Sequence, residues 1–226
     1  MLRVRERIAA AALNAGRPAD EITLIGVSKT HPAEAVREAF AAGLRHFGEN
    51  RVQEWEGKQR DLQDLPATWH LIGHLQSNKA ARAAKLFHAI DSVDDLALAQ
   101  RLSRARIELG VPAKLRVLIE VHIAQEEAKS GAPAEELPAL AEKIAALPAL
   151  ELAGLMCIPP LVEDAEAARP YFRRLRELRD ELARRLGRAL PVLSMGMSHD
   201  FDVAIEEGAT EVRVGTALFG TRGTLR

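Results

Sequence analysis

The stretch ITLIGVSKTHPAEAVREAFAAGLRHFG, residues 22–48, contains one strand–helix–strand unit. The short apolar run 22–28 predicts a buried strand, and residues 32–42 predict a helix because Gly43 follows them, as expected at a helix end. A second apolar run at 45–48 predicts the next strand. Strands separated by a helix pair in parallel, so this unit indicates an α/β fold.

The same alternation continues along the rest of the chain. The predicted strands are 22–28, 45–48, 68–73, 87–91, 114–123, 150–156, 191–196 and 211–220, and the helices between them are 32–42, 50–63, 77–86, 93–109, 134–147, 164–187 and 199–207. One extra N-terminal helix ends near Gly16. Eight such units favour a single (β/α)8 TIM barrel over residues 1–226. An open, doubly wound sheet is the alternative, because periodicity does not distinguish a closed sheet from an open one.

Composition narrows the classes of function. The chain has 226 residues, of which 47% are hydrophobic and 28% charged, as in folded globular proteins. Its 31 basic and 32 acidic residues give a net charge of -1, and the absence of a basic block argues against a nucleic-acid partner. The sequence has no run of about 18 apolar residues, so it predicts no membrane-spanning helix. The single Cys157 excludes an intrachain disulfide and predicts a cytoplasmic location.

Polar and glycine residues follow several predicted strands. In a (β/α)8 barrel the active site lies at the C-terminal ends of the strands, where the loops begin. Five positions in this chain occupy such strand ends: Lys29, Asn50, and residues 73–78, 195–198 and 215–216. We therefore expect a functional site at this face of the barrel.

Lys29 directly follows the first predicted strand. Partial burial at a strand end favours the neutral amine, which makes this lysine a candidate for Schiff-base chemistry. The alternative is a lysine whose ammonium reaches water or a carboxylate along an apolar stem. The sequence GVSKT is not a phosphate-binding loop, because the upstream glycine of that motif is missing.

A phosphate site is predicted at the last two strand ends. Ser198 precedes a short predicted helix, and Gly215 with Thr216 ends the last predicted strand, where barrels often bind phosphate. Ordinary helix capping by Ser198 is the alternative. Arg213 lies on the same side of its strand as Gly215, where it could pair with a carboxylate of a neighbouring strand or contact the ring of a bound ligand.

Two further features, a pair of histidines and the single cysteine, are not expected to have a functional role. His70 and His74 have the spacing of two zinc ligands, but the glutamate of that motif is absent and a strand end is predicted here, so we expect no metal site. Cys157 is expected to be a small buried hydrophobic residue.

Seven motifs together closely resemble one family. The family is that of the pyridoxal phosphate homeostasis proteins, and the resemblance covers about residues 1–222. The motifs that carry it are, in chain order, VSKTHP, HFGENRVQE, WHLIGHLQSNKA, KSG, GLMCIPP, LSMGMSHDFDVAI and EVRVGTALFG. The resemblance implies a fold-type III α/β barrel like the N-terminal domain of alanine racemase. It also implies that pyridoxal 5′-phosphate (PLP) is held as a lysine Schiff base and that the chain buffers or delivers this cofactor in intracellular vitamin B6 homeostasis.

The resemblance also assigns residues. It implies that Lys29 forms the Schiff base, that Ser198, Gly215 and Thr216 bind the phosphate, that Arg213 lies near the pyridine nitrogen, and that Asn50, Ile72 and Met195 line the pocket. Lys129 in the KSG motif matches a loop lysine that could be a second PLP attachment point, although a plain surface lysine is the preferred interpretation. His122 departs from the family pattern, which has asparagine at the end of this strand.

Two functions fit such a barrel: a PLP carrier without turnover, or a PLP-dependent amino-acid racemase. A racemase needs acid and base groups on both faces of the bound amino acid, and alanine racemase takes its second group, a tyrosine, from a C-terminal β-domain. This chain ends at Arg226, and its only tyrosine, Tyr171, lies on a predicted outer helix. We therefore expect a monomeric carrier that donates to PLP-dependent apo-enzymes, with no catalytic residue; His74 and His199 are the loop candidates for a second base.

Overall fold

All eight predicted strands are present in the computed structural model, which describes residues 1–124 and 130–220. The strands are β1 (Thr23–Val27), β2 (His46–Glu49), β3 (Thr68–Leu71), β4 (Ala89–Val93), β5 (Leu115–His122), β6 (Ala132–Pro133), β7 (Leu150–Met156), β8 (Val192–Ser194) and β9 (Glu211–Val214). Only the two-residue β6, which pairs with the end of β5, was not predicted.

The strands close into a barrel. β1 pairs in parallel with both β2 and β9, and the neighbours run β1–β2–β3–β4 on one side and β1–β9–β8–β7–β5 on the other. Pairing between β4 and β5 joins the two sides. The fold is therefore the predicted (β/α)8 TIM barrel, and the alternative of an open, doubly wound sheet is wrong.

Helices cover the outside of the barrel. They are α1 (Leu2–Asn14), α2 (Ala33–Ala41), α3 (Val52–Leu62), α4 (Ala80–Leu86), α5 (Leu96–Glu108), α6 (Leu137–Ala145), α7 (Arg169–Leu186), α8 (Phe201–Glu206) and α9 (Thr216–Phe219). The extra helix α1 buries Val4, Ile8 and Ala11 and packs against α8. Within residues 1–124 and 130–220, no helix has both the length and the apolar character that crossing a bilayer requires.

The last predicted strand, 211–220, is too long. β9 ends at Val214, and the helix α9 follows within the same apolar run. The backbone turns at Gly215, whose carbonyl accepts hydrogen bonds from the N–H groups of Leu218 and Phe219. An apolar run alone does not show where a strand gives way to a helix, which explains the error.

The inside of the barrel holds charged residues near the N-terminal ends of the strands. Arg116 on β5 pairs with Glu211 on β9, two strands that are not neighbours in the ring, so the pair spans the interior. His70 Nδ1 lies 3.0 Å from Asp91 Oδ2, and its Nε2 lies 3.0 Å from His46 Nδ1. Burial, with His70 nearby, lowers the pKa of His46 to about 4. This polar layer forms the floor beneath the C-terminal face.

Candidate functional site

Lys29 lies in a tight turn directly after β1. The Ser28 N–H donates to Gly48 O, which extends the β1–β2 pairing by one residue, and the His31 N–H donates back to Ser28 O at 3.1 Å. Lys29 is half-buried, and Thr30 beside it has φ +65°. The structure therefore holds Lys29 at the C-terminal end of a barrel strand, where the sequence predicts it.

Asn50 and Ile72 follow the next two strands and meet beside this turn. The Ile72 N–H donates to Glu49 O at 3.0 Å, and Ile72 itself is buried. A Cβ atom on Gly73 would lie 2.5 Å from Asn50 O, so this glycine lets the two strand ends approach closely. The ends of β1, β2 and β3 thus form one side of the mouth.

The other side of the mouth is formed by the end of β9. Gly26 on β1 pairs with Val214, which brings Gly215 against Val27. Thr216 begins α9 and is exposed. The His31 ring stacks on Phe219 with ring centroids 4.9 Å apart, so the Lys29 turn packs directly against α9.

Ser198 reaches the same place from the loop after β8. Its Oγ lies 3.5 Å from the Ala217 N–H in the first turn of α9. The alternative that Ser198 caps α8 is wrong, because α8 begins at Phe201 and its N-cap is Asp200. Asp200 Oδ1 instead accepts from the Met197 N–H at 2.6 Å and holds the loop closed. Gly196, at φ +90°, turns the loop where a Cβ atom would collide with Phe201 and Ala204 of α8.

Arg213 points into the barrel from β9 and is 3% exposed. Its guanidinium donates to Ser194 Oγ and to the Cys157 carbonyl oxygen, both at 2.8 Å. Both described acceptors are neutral, so the predicted pairing with a carboxylate of a neighbouring strand is not what fixes this side chain. The arginine is held rigidly across the ends of β8 and β7, and Met195 lies fully buried after β8.

Two carboxylates line the mouth on the side of β4 and β5. Glu120 accepts from Ser130 Oγ at 2.8 Å, and burial raises its pKa. Burial also raises the pKa of Asp94, which lies 3.1 Å from His74 Nδ1. Cys157 is the small buried residue that the sequence predicts, and burial raises the pKa of its thiol to about 12.

The remaining candidates are dispersed. His74 is exposed and paired with Asp94, while His199 is exposed with its Nε2 3.0 Å from Glu163 O. Tyr171 lies on the outer helix α7, as predicted. His122 is half-buried at the end of β5, and its Nε2 has no hydrogen-bond partner among the described residues. Lys129 lies outside the described residues.

His70 groups with residues that the sequence did not suggest. Ligand atoms of His70, Asp91 and Glu211 lie within 4.8 Å of one another in the barrel interior, whereas His74 lies at the surface. Both nitrogens of His70 face hydrogen-bond partners. The Arg116 guanidinium pairs with Glu211 and so offsets the charge of one of the two carboxylates in this group.

Sequence reasoning missed the residues beneath the Lys29 turn. Glu49, Glu54 and Lys58 surround Ser28 and Thr30 with hydrogen bonds. The one signal in the sequence is the spacing of Glu54 and Lys58, four apart on one helix, which predicts a local ion pair but not its contact with the turn.

Comparisons with known proteins identify the relatives of this chain. The family of the alanine racemase N-terminal domain matches residues 4–223. The pyridoxal phosphate homeostasis protein of Aquifex aeolicus is 50% identical over 97% of this chain and 96% of its own length. The protein of the same name from Pseudomonas aeruginosa is 53% identical over 97% and 93% of the two chains.

Solved structures give the same result. PipY of Synechococcus elongatus with PLP bound is 44% identical, has a TM-score of 0.85, and is matched over 96% of this chain and 100% of its own. An alanine racemase of Clostridium difficile shares the fold at 14% identity and a TM-score of 0.75, over 99% of this chain and 57% of the racemase. The chain therefore belongs to the pyridoxal phosphate homeostasis protein family, within the larger family of the alanine racemase N-terminal domain.

Proposed function

We propose that this chain binds PLP through a Schiff base on Lys29 and serves PLP homeostasis by holding the cofactor and passing it on. One observation carries the proposal: Lys29, at the end of β1, shares one mouth with Ser198 and the Gly215–Thr216 turn. A relative with 44% identity, PipY, has been solved with PLP bound.

The donors in this mouth fit the chemical groups of PLP. A phosphate needs N–H and O–H donors, and the Ser198 hydroxyl lies beside the first turn of α9, whose leading N–H groups have no partner within the helix. The half-buried Lys29 supplies an amine from the neighbouring turn, which packs against α9. When bound, PLP supplies an aldehyde carbon that accepts an amine. Asn50, Ile72 and Met195 would line the pocket between these groups.

Arg213 favours storage over turnover. A guanidinium is always protonated and has no proton acceptor, so next to the pyridine nitrogen it disfavours protonation of that nitrogen. An unprotonated ring withdraws electrons weakly, which slows proton removal from a bound amino acid. Since two hydrogen bonds fix Arg213, it cannot turn away to relieve this effect.

We accordingly propose that the chain is a carrier and not a racemase. The relatives that match over nearly their full length are named homeostasis proteins. The two loop histidines considered as a second base, His74 and His199, are exposed and engaged with Asp94 and with the Glu163 carbonyl. The proposal retains the single-domain PLP-binding barrel over residues 1–226, the monomeric state and the cytoplasmic location that the sequence predicts.

The test is the visible absorption spectrum of the purified chain after PLP is added. Wild type should show the band of a Schiff base, Lys29→Ala should lack it, and Lys85→Ala, which removes an exposed lysine on α4, should keep it. Loss of the band in both variants, or retention in both, would count against attachment at Lys29.

Two further measurements separate a carrier from a racemase. L-alanine should keep its chirality when incubated with the loaded protein, and interconversion of the enantiomers would make the chain an enzyme. Loaded protein should also activate a PLP-dependent apo-enzyme while a scavenger removes free PLP. A failure of this transfer would leave storage but exclude delivery.

A further inference from the structure

The turn that carries Lys29 has an unusual backbone. Thr30 is the single non-glycine residue with positive φ among residues 1–124 and 130–220. A β-branched side chain is disfavoured in this left-handed region, where glycine is the usual residue. Such a conformation persists only where surrounding contacts enforce it.

The side chains of Glu49, Glu54 and Lys58 make those contacts. The Lys58 ammonium donates to the Ser28 carbonyl oxygen at 2.8 Å, on one flank of Lys29. On the other flank the Thr30 N–H donates to Glu54 Oε1, which also accepts from Lys58 at 3.2 Å. Both neighbours of Lys29 are therefore tied, directly or through one carboxylate, to a single ammonium group.

Glu49 completes the arrangement. Its Oε1 accepts from Ser28 Oγ at 2.7 Å and from Lys58 Nζ at 3.0 Å. The Glu49 side chain is fully buried, and that of Lys58 is 13% exposed. Because water screens this cluster poorly, its hydrogen bonds hold the backbone more firmly than a surface ion pair would.

We propose that Glu49, Glu54 and Lys58, the Lys29 clamp, are positioning residues that keep the Ser28–Thr30 turn in its left-handed form and so aim the Lys29 amine into the mouth. This inference rests on the proposed function for its purpose, but the clamp itself is independent of any cofactor. It assigns a role to three residues that do not contact the candidate phosphate site.

The consequence concerns how fast Lys29 captures an aldehyde. In capture, a bond forms between Lys29 Nζ and the aldehyde carbon, and the carbonyl oxygen leaves as water with both protons of the neutral amine. Misplacement of a reacting group by 1 Å can slow a step about 100-fold. Release of the turn should therefore slow capture of PLP about tenfold or more.

The first experiment compares Lys58→Met with Arg60→Met. Both remove a cation from α3, but the Arg60 side chain is exposed and the Lys58 side chain holds the turn. Stopped-flow absorbance after mixing with PLP should show slow capture in Lys58→Met and capture at the wild-type rate in Arg60→Met. Cys157, which is fully buried, reports unfolding through its reaction with a thiol reagent and should stay protected in both variants.

Lys58→Met leaves two carboxylates without their cation and could fail to fold. Glu54→Leu is therefore the second variant, because it removes the acceptor of the Thr30 N–H and keeps the Glu49–Lys58 pair. Thr30→Gly in the same chain supplies the rescue. Glycine adopts positive φ without strain, so the double variant should recover most of the capture rate, while Thr30→Gly alone should change it less than twofold.

A readout without PLP tests the clamp alone. Reductive methylation with formaldehyde, followed by peptide mass spectrometry, measures how accessible Lys29 is relative to Lys85. We expect Lys29 labelling to rise at least threefold in Glu54→Leu and to return towards the wild-type value in the double variant.

The possible outcomes are distinct. Capture within twofold of wild type in Glu54→Leu, or slow capture that Thr30→Gly does not rescue, overturns the clamp. If wild type shows no PLP band, the proposed function fails, and the labelling result alone then supports or overturns the clamp.

Discussion

Arg116→Met should destabilise the fold strongly, although Arg116 lies far from the mouth. The change removes the cation that pairs with Glu211 across the barrel interior and leaves Glu211 and Asp91 close together without it. Removing one partner of a buried ion pair costs about 3–5 kcal/mol. A cavity of about 530 Å³ reaches Arg116 from the N-terminal face, and the side chain is 24% exposed, so we expect the lower end, about 3 kcal/mol. For a chain of this length that lowers Tm by roughly 6–12 °C.

The loss should also depend on pH. Burial and the Asp91 charge raise the pKa of Glu211, and Arg116 partly offsets them. Because the folded chain then holds a proton on Glu211 more tightly than the unfolded chain does, the free energy of unfolding rises as pH falls through the raised pKa. Arg116→Met raises this pKa further. The gap between wild type and variant should therefore be larger at pH 8 than at pH 5.

Urea denaturation at both pH values measures this effect, with Arg185→Met as the matched control. Arg185 pairs with Glu142 on the surface, where both side chains are about half exposed, so its removal should cost little or nothing. The reasoning fails if Arg116→Met loses no more stability than Arg185→Met. It also fails if the difference between wild type and Arg116→Met is the same at pH 5 and pH 8.

Three further predictions follow from single contacts. Gly73→Ala places a Cβ 2.5 Å from Asn50 O and should cost about 1–3 kcal/mol in urea denaturation, whereas Gly57→Ala, with nothing within 4 Å, should stabilise α3 by about 0.5–1 kcal/mol; equal effects would refute this. Cys157 should resist iodoacetamide at neutral pH until the chain unfolds, because burial raises its pKa to about 12, and mass spectrometry would detect any labelling of the native protein. Arg213→Met should weaken PLP binding and permit protonation of the ring nitrogen, and an unchanged spectral titration would remove Arg213 from the site.

Much of the fold could be predicted because its elements are short and well separated. Each of the eight predicted apolar runs overlaps a strand, and β1 ends within a residue of its prediction. Closure was predicted from the number of strand–helix units alone, since the pairing that closes the barrel, between β4 and β5, is encoded by no local pattern. The last strand was predicted too long for the same reason: the run through Gly215 is apolar in both the strand and the helix that follows.

The candidate site likewise contains one residue that the sequence predicts and others that it does not. Lys29 stands out in the sequence because a lysine at a strand end is unusual. The residues that hold the Lys29 turn do not stand out in the sequence, because Glu49 lies 21 residues and Lys58 lies 30 residues from Ser28. Only the pairing of β1 with β2 brings them together. The charged layer inside the barrel was hidden as well, because residues such as His70 and Glu211 occur within runs that otherwise indicate an apolar strand.

The two sides of the mouth differ in a way that bears on exchange. The Lys29 turn is fixed from below by the buried Glu49–Lys58 pair and from the side by the stacking of His31 on Phe219. The wall that would hold the phosphate is built differently, because Thr216 is exposed and Ser198 Oγ is 3.5 Å from the Ala217 N–H. A ligand attached to the fixed amine would thus keep its phosphate near solvent, and the half-buried position of Lys29 would let water or another amine reach the carbon attached to it. We therefore expect release to be limited by reversal of the bond at Lys29 rather than by opening of the protein, as the proposed delivery of the ligand would require.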